Sequence, residues 1–258
     1  MAVLSAVLWD VDGTLAETER DGHRVAFNQA FEALKLPWRW SPKRYGELLH
    51  VAGGRERILH DMATQPDVPA RPKHREALAR RLHALKSEYY VCIVRDQQLP
   101  LREGVRELVD DCLRADLPMG IVTTTSRVNV EALLSVQLGT QWRQWFDVLV
   151  CGEDASNKKP HPQAYQQALA QLKLHPAEVL AIEDSPLGVR SATAAGVPVV
   201  VTRSHYFRDD LVDGAMAVGP SFGQRRGWQP GVDAPSDWRV GLGQLRVWHS
   251  ALSYRRHI

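Results

Sequence analysis

From residue 105 onward, short apolar runs alternate with stretches of helical periodicity, and this alternation restricts the chain to one kind of architecture. Val105, Leu108, Val109, Cys112 and Leu113 recur at helical spacing, residues 119–122 form an apolar run, and Val130, Leu133 and Leu134 return to the helical period. The doublet repeats as strand 146–151, a helix carrying Tyr165, Ala168, Leu169 and Leu172, strand 179–182, helix 186–195 and strand 197–201. Residues 3–8, apolar apart from Ser5, supply another strand ahead of all of these. Strands joined by helices of this length need right-handed crossovers, so the sheet is parallel and covered on both faces. Its carboxyl ends then share one edge. The expected class is α/β.

Two segments stand outside the alternation. Residues 17–97 carry no strand pattern. Phe27, Ala30, Phe31 and Leu34 share one helix face, a Pro/Trp-rich turn covers residues 37–42, and helix resumes through Leu48 and Ile58. Leu78, Leu82, Leu85 and Tyr89 mark a last helix. The segment reads as an all-helical insertion placed directly after the first strand, where it can cover that strand's end. Residues 221–237, rich in Gly and Pro, predict an irregular loop before Leu242, Leu245 and Leu252 signal a short terminal helix. Trp228, Trp238 and Trp248 in this tail are expected to pack on the core. The division is therefore a core of residues 1–16 and 98–220, a helical cap of residues 17–97, and a tail of residues 221–258.

Bulk properties exclude several classes. A net charge of +2 leaves no basic stripe for a nucleic acid, while phosphate-sized ligands stay open. Cys92, Cys112 and Cys151 are odd in number and widely spaced, which argues against a disulfide framework or a zinc cluster and for a reducing compartment, with the thiols as core filler. There is no basic-then-apolar leader and no apolar run near the ~18 residues of a membrane span. The expectation is a cytoplasmic monomer with no membrane or nucleic-acid partner.

Polar groups suited to one reaction sit at four strand ends. The first strand runs into Trp9-Asp10-Val11-Asp12-Gly13-Thr14. Two carboxylates held a few ångströms apart repel, so a site that keeps both holds a divalent cation or shares a proton. The second strand is followed by Thr123, Thr124, Thr125 and Ser126, whose hydroxyls and amides can hold an anionic oxygen. After the third come Lys158 and Lys159, and the fourth ends in Glu183-Asp184-Ser185 with Pro186 at a first helical position. Singly, these are a turn, a capping cluster, a solvated lysine pair and a helix start. Their convergence on one sheet edge is what points to chemistry.

In order and spacing, Asp10-Val11-Asp12-Gly13-Thr14, Thr123, Lys159-Pro160 and Glu183-Asp184 resemble the four motifs of haloacid dehalogenase-like hydrolases. The stretches Ala16-Glu17-Thr18-Glu19, Gly53-Gly54-Arg55-Glu56-Arg57, Pro100-Leu101-Arg102-Glu103-Gly104-Val105 and Lys158-Lys159-Pro160-His161-Pro162 look like the CbbY-type subgroup. Those are xylulose-1,5-bisphosphate phosphatases associated with carbon-fixing organisms, with β-phosphoglucomutase a more distant relative. The resemblance implies a Rossmann-like parallel sheet with an inserted helical cap. It also implies a magnesium-dependent phosphoric monoester hydrolase acting on a small phosphorylated sugar, with the Calvin cycle as its setting.

By that resemblance Asp10 is the nucleophile that becomes an aspartyl-phosphate, and Asp12 protonates the leaving alkoxide and then activates water. Thr123 and Lys159 grip the phosphoryl oxygens. Mg2+ is held by Asp10, the backbone carbonyl of Asp12 and Asp184, with Glu183 a ligand or a support behind it. Glu17, His23, Arg55 and Lys86 match positions that contact substrate, Thr124 and Thr125 add hydroxyls, and Lys158 is the solvated neighbour. The cap carries fifteen basic against eleven acidic side chains, which leans toward an anionic substrate. Two positions depart from the pattern. Trp9 stands where Phe is usual, and Gln163 where Asp is frequent, with the loss of a local cap expected there. The alternatives are a phosphosugar mutase and an inactive binding module on the same fold.

Overall fold

The computed structural model describes residues 3–97, 99–231 and 238–255. Six strands form one sheet in the order β3-β2-β1-β4-β5-β6: β1 Ala6–Trp9, β2 Met119–Val122, β3 Val148–Val150, β4 Val179–Glu183, β5 Val199–Thr202 and β6 Ala217–Gly219. Every pairing is parallel, and β1 lies at the centre with Trp9 in register with Ile121 on one side and Ile182 on the other. The order reverses at β1, whose neighbours β2 and β4 lead away in opposite directions, and ligands of open parallel sheets bind beyond such a switch point.

The pleat sends alternate side chains to opposite faces, and both are dry. Val7 and Trp9 join Met119, Ile121, Leu180 and Ile182 in one apolar layer, while Ala6 and Leu8 join Val148, Val150, Ala181 and Val199 in the other. The first layer is closed by α5 (Val105–Arg114), α6 (Arg127–Leu138) and α9 (Leu242–Arg255), the second by α7 (Gln163–Leu172) and α8 (Pro186–Ala194). Helix α8 starts where the sequence says it must. Ser185 accepts from the Gly188 amide, and Pro186 occupies the first turn, whose missing N–H has no partner to lose.

Between β1 and α5 the described chain is helical: a π-helical turn at Glu19–His23, then α1 (Arg24–Ala33), α2 (Pro42–Leu48), α3 (Gly54–Asp61) and α4 (Pro72–Gln97). This segment has its own aromatic centre, in which Phe27, Phe31, Trp38, Trp40 and Tyr45 pack together. The expected helix through Leu48 and Ile58 is two helices, broken at Gly53, whose φ of +90° an L side chain rarely adopts.

Several expectations change. The third strand is shorter than residues 146–151, and β4 runs one residue further so that Glu183 belongs to the strand. Strand β6 is an additional edge strand whose three residues were too few to show a period. The tail is more ordered than an irregular loop: Gln229 bridges back to Val218, Trp228 stacks on Phe222 and Trp248, and Arg239 forks onto Asp111 of α5. Trp238 does not pack on the core as Trp228 and Trp248 do, since 67% of it is exposed. Cys112 and Cys151 are buried thiols, but Cys92 is on the surface because its position on α4 falls outside the apolar stripe. Residues 232–237 of the predicted loop lie outside the described residues, and no described helix is long and apolar enough to cross a membrane.

Candidate active site

The residue after each central strand faces one hollow. Asp10 follows β1, Thr123 follows β2 and Asp184 follows β4, and with Asp12 and Lys159 they line a cavity of about 50 Å³. Three carboxylates, Asp10, Glu183 and Asp184, each offer an oxygen within 4.8 Å of the others, and all are buried. Gly13 makes this possible. Its φ is +79°, and a Cβ there would collide with the Asp184 carboxylate, so only glycine lets the β1 loop pass so close.

Lys159 is the cation of this cluster. Its Nζ, 5% exposed, donates to Asp10 Oδ1 at 2.7 Å, Glu183 Oε1 at 2.6 Å and the Val122 carbonyl at 2.8 Å. Burial alone would lower its pKa, but the charges of Asp10 and Glu183 and their hydrogen bonds hold it above the usual lysine range. Tyr165 of α7 donates to Glu183 Oε1 at 2.5 Å, and its ring lies under the ammonium at 5.5 Å. Glu183 thus fixes the lysine from behind. Its other oxygen lies against Gly188, where any Cβ would overlap it.

The paired aspartates differ in environment. Burial, partly countered by Lys159 and reinforced by the Glu183 and Asp12 charges, pushes Asp10 up to about 7. Burial and the Asp10 charge raise Asp184 well above the carboxylate range, against the pull of a Ser204 hydrogen bond and Arg102. Burial also acts on Asp12, but it is outweighed by His23, by the hydrogen bonds of His23 and Thr18, and by Lys86, so Asp12 falls to about 2. Its Oδ1 lies 2.8 Å from His23 Nε2 and 2.5 Å from the Thr18 hydroxyl. His23 in turn stacks on Tyr90 at 4.0 Å.

Arg55 and Thr124 share a second cavity of about 370 Å³ with His83, Ser126 and Lys158, and Thr124 also lines the first, so the two hollows adjoin at that residue. Lys86 is buried over Phe27 and Tyr90, where burial brings it down to about 8 despite the Asp12 and Glu19 charges. Glu17 is placed elsewhere: it accepts from the His205 amide, pairs with Arg102 at 3.5 Å and lines a different cavity. Thr125 is turned into the β2 loop, where its carbonyl accepts from Gly152. Lys158 is not the solvated neighbour, because its Nζ is held by the Gly152 and Ala155 carbonyls, the latter at 2.7 Å. Nor is the cap lost at Gln163, whose Oε1 accepts from the Asn157 amide at 2.8 Å and the Ser156 hydroxyl.

Sequence reasoning missed Arg57, Glu19, Tyr165 and Phe207. Arg57 lies two positions past Arg55 on α3, hence on a different face; it turns inward to the first cavity and donates to Tyr45 at 2.9 Å, while Arg55 stays near the rim. Tyr165 was legible as an inward helix position, but nothing in its spacing marked its hydroxyl as a partner of Glu183.

A model of the haloacid dehalogenase-like hydrolases matches residues 4–196, which include every carboxylate of this cavity and its lysine. The chain belongs to that family. It is accordingly an enzyme, in agreement with the hydrolase expected from the four motifs. It is 38% identical to the CbbY protein of Cupriavidus necator over 95% of its own length and 97% of that protein's, and 42% identical to CbbY of Rhodobacter capsulatus over 80% and 88%. Among solved structures it is similar to a mutant CbbY from Rhodobacter sphaeroides in complex with xylulose-(1,5)bisphosphate. There the TM-score is 0.80 at 37% identity, covering 87% of this chain and 97% of that one. A β-phosphoglucomutase from Clostridium difficile, at 18% identity and a TM-score of 0.71, shares the fold.

Proposed function

We propose that this hydrolase is a magnesium-dependent phosphatase that cleaves a small sugar bisphosphate, xylulose 1,5-bisphosphate foremost, through an aspartyl-phosphate on Asp10. The observation that carries the reading is a pair of cavities adjoining at Thr124: a narrow one holding Asp10 and Lys159, and a wider one bearing Arg55, His83 and Lys158. One phosphate enters the first, and a second sits by Arg55 and Lys158 in the other, with His83 a neutral hydrogen-bonding group beside them. The CbbY complex with xylulose-(1,5)bisphosphate supports that choice of substrate.

A hard divalent cation fits the donor set. Three buried carboxylates with one lysine among them carry excess negative charge, and oxygen-only ligands suit magnesium. Asp10, Asp184 and the Asp12 carbonyl would hold it, and when bound it neutralises charge on the phosphoryl oxygens. Glu183 serves chiefly by holding Lys159.

An Asp10 carboxylate oxygen attacks phosphorus as the phosphorus–alkoxide bond breaks, and Lys159 and Thr123 bind the non-bridging oxygens. Asp12, in its carboxylic acid form as the ester binds, protonates the departing alkoxide, and His23 Nε2 at 2.8 Å and the Thr18 hydroxyl hold the carboxylate that remains. Water then attacks phosphorus, Asp12 takes its proton, and the Asp10–phosphorus bond breaks to release inorganic phosphate. Residues 17–97 act as the cap that excludes bulk water during both steps. Arg55 and Lys86 contribute charge toward the bound anion.

The test is phosphate release from xylulose 1,5-bisphosphate, hexose monophosphates and phosphoglycolate, each with and without magnesium. Fastest turnover on the pentulose bisphosphate, dependent on the metal and lost in Asp10→Asn, is expected. Turnover that survives Asp10→Asn overturns the nucleophile, and conversion to an isomeric sugar phosphate without net phosphate release makes the enzyme a mutase.

A further inference from the structure

The loop after β5 belongs to the core, yet its tip is built into the cap. Arg203 staples it into a closed turn, donating to the carbonyls of Phe207 at 3.2 Å and Asp210 at 2.8 Å. The Ser204 side chain bonds Asp184, and the His205 amide donates to Glu17 at 3.1 Å. Tyr206 lies edge-on to Tyr45 at 5.9 Å and presses on Gly46, where a Cβ would strike its ring. Phe207, 7% exposed, is a member of the cap's aromatic cluster, with His50 beside it at 6.2 Å. The same Phe207 also lines the narrow cavity that holds Asp10 and Lys159.

A single side chain therefore touches the reaction cavity, the cap interior and a loop tied to Asp184. Interiors of this density do not deform continuously, so the ring fixes the separation between cap and core on this side. A cavity of about 50 Å³ is far smaller than the ~300 Å³ of an ordinary small-molecule cleft. A cavity of that volume has room for a phosphoryl group and the methylene that bears it, so the carbons that follow lie beside Phe207, where a linear chain is slimmer than a substituted six-membered ring. Xylulose 1,5-bisphosphate is obligatorily open-chain, because phosphorylation of its 5-oxygen removes the hydroxyl that would close a furanose. Aldohexose 6-phosphates such as glucose 6-phosphate keep the free 5-hydroxyl and are mostly pyranoses.

Resting on the phosphatase reading above, we propose that Phe207 is a specificity-determining residue of this site, one that admits open-chain phosphate esters and excludes pyranose phosphates. The experiment measures kcat/KM for xylulose 1,5-bisphosphate and glucose 6-phosphate in the unsubstituted enzyme, Phe207→Ala and Phe207→Leu, with circular dichroism confirming the fold of each. The ratio between the two esters should fall about tenfold in Phe207→Ala, through a higher KM for the bisphosphate and a gain on the hexose phosphate, with Phe207→Leu intermediate. A purely structural role would lower both rates by one factor, and a ratio unmoved within twofold in the folded variants overturns the proposal alone. Should Phe207→Ala not fold, Phe207→Leu decides by the same criterion. No phosphate release by the unsubstituted enzyme from either ester overturns the phosphatase reading and this inference with it.

Discussion

Lys159→Met tests the buried network that positions Asp10, the nucleophile proposed above. The lysine makes two charge-assisted bonds, to Asp10 and Glu183, and one to a strand carbonyl, all in a dry setting. Methionine keeps the apolar stem but strands two buried carboxylates, and Glu183 retains Tyr165 as its donor. Removing one partner from such a buried pair costs about 3–5 kcal/mol. At roughly 2–4 °C per kcal/mol for a chain of this size, that is a fall in Tm of about 10 °C. The assay is urea unfolding of metal-free protein. Asp10 is pushed up to about 7 with the lysine in place, above its unfolded value of 3.8, so its charged form opposes folding above that range and its protonation removes the opposition. The penalty of the substitution should therefore be largest near pH 8 and shrink as pH falls through 7. Adding Glu183→Gln removes one stranded charge and should restore at least about half of the loss, a coupling that a double-mutant cycle isolates. A single variant within about 1 kcal/mol of the parent at pH 8, or a double variant no more stable than the single, refutes the reasoning.

Three further outcomes follow from particular contacts. Gly13→Ala places a methyl on the Asp184 carboxylate at a positive φ, so the magnesium concentration for half-maximal activation should rise about tenfold or more, read from a metal titration of phosphate release. Trp248→Ala should lower stability by about 3–5 kcal/mol in urea because the indole is buried against Trp228, whereas Trp238→Ser, at an exposed position, should stay within about 0.5 kcal/mol. Burial, aided by the Lys86 charge, brings His83 down to about 4 from 6.5; its depressed folded value gives stability present above 6.5 and lost as pH falls toward 4. His83→Gln should flatten that part of the urea-midpoint profile.

The sheet and its active edge were readable because their signals are local. A fully buried parallel strand must be apolar throughout, and the residues at its carboxyl end inherit their position from it; Asp10, Thr123 and Asp184 follow directly. Lys159 was readable only through the motif it resembles, since nothing in Lys158-Lys159 says which of the two turns inward. The choice is made by the fold, which gives Lys158 two backbone carbonyls and Lys159 two carboxylates. Phe207 and Tyr206 carried no signal, because an aromatic in a loop acquires meaning only from the helix it meets about 160 residues earlier, at Tyr45. Trp238 misled for the opposite reason: composition predicts burial of tryptophan on average, not at one position of a loop.

The spacing of Asp10 and Asp12 assigns each to a different part of the molecule. Asp10 follows a buried strand directly, and its partner is Lys159, which is itself held by β4, the β2 carbonyl and Tyr165 of α7, all elements of the core. Two residues on, the chain has left the sheet, and Asp12 finds its partners in Thr18 and His23 at the root of the helical segment. The turn carrying His23 is π-helical, a rare geometry found at functional sites, and it sets the ring against Tyr90 of α4. The proposed nucleophile, Asp10, is thus fixed by the core, and the proposed proton donor, Asp12, by the helical segment. A change that shifts the cap, such as loss of the Tyr90 ring, should disturb protonation of the leaving alkoxide before it disturbs attack by Asp10. In Tyr90→Ala, esters with good leaving groups, which need no proton, should retain turnover while sugar phosphates lose it. Equal losses on both would mean that the two carboxylates move as one unit.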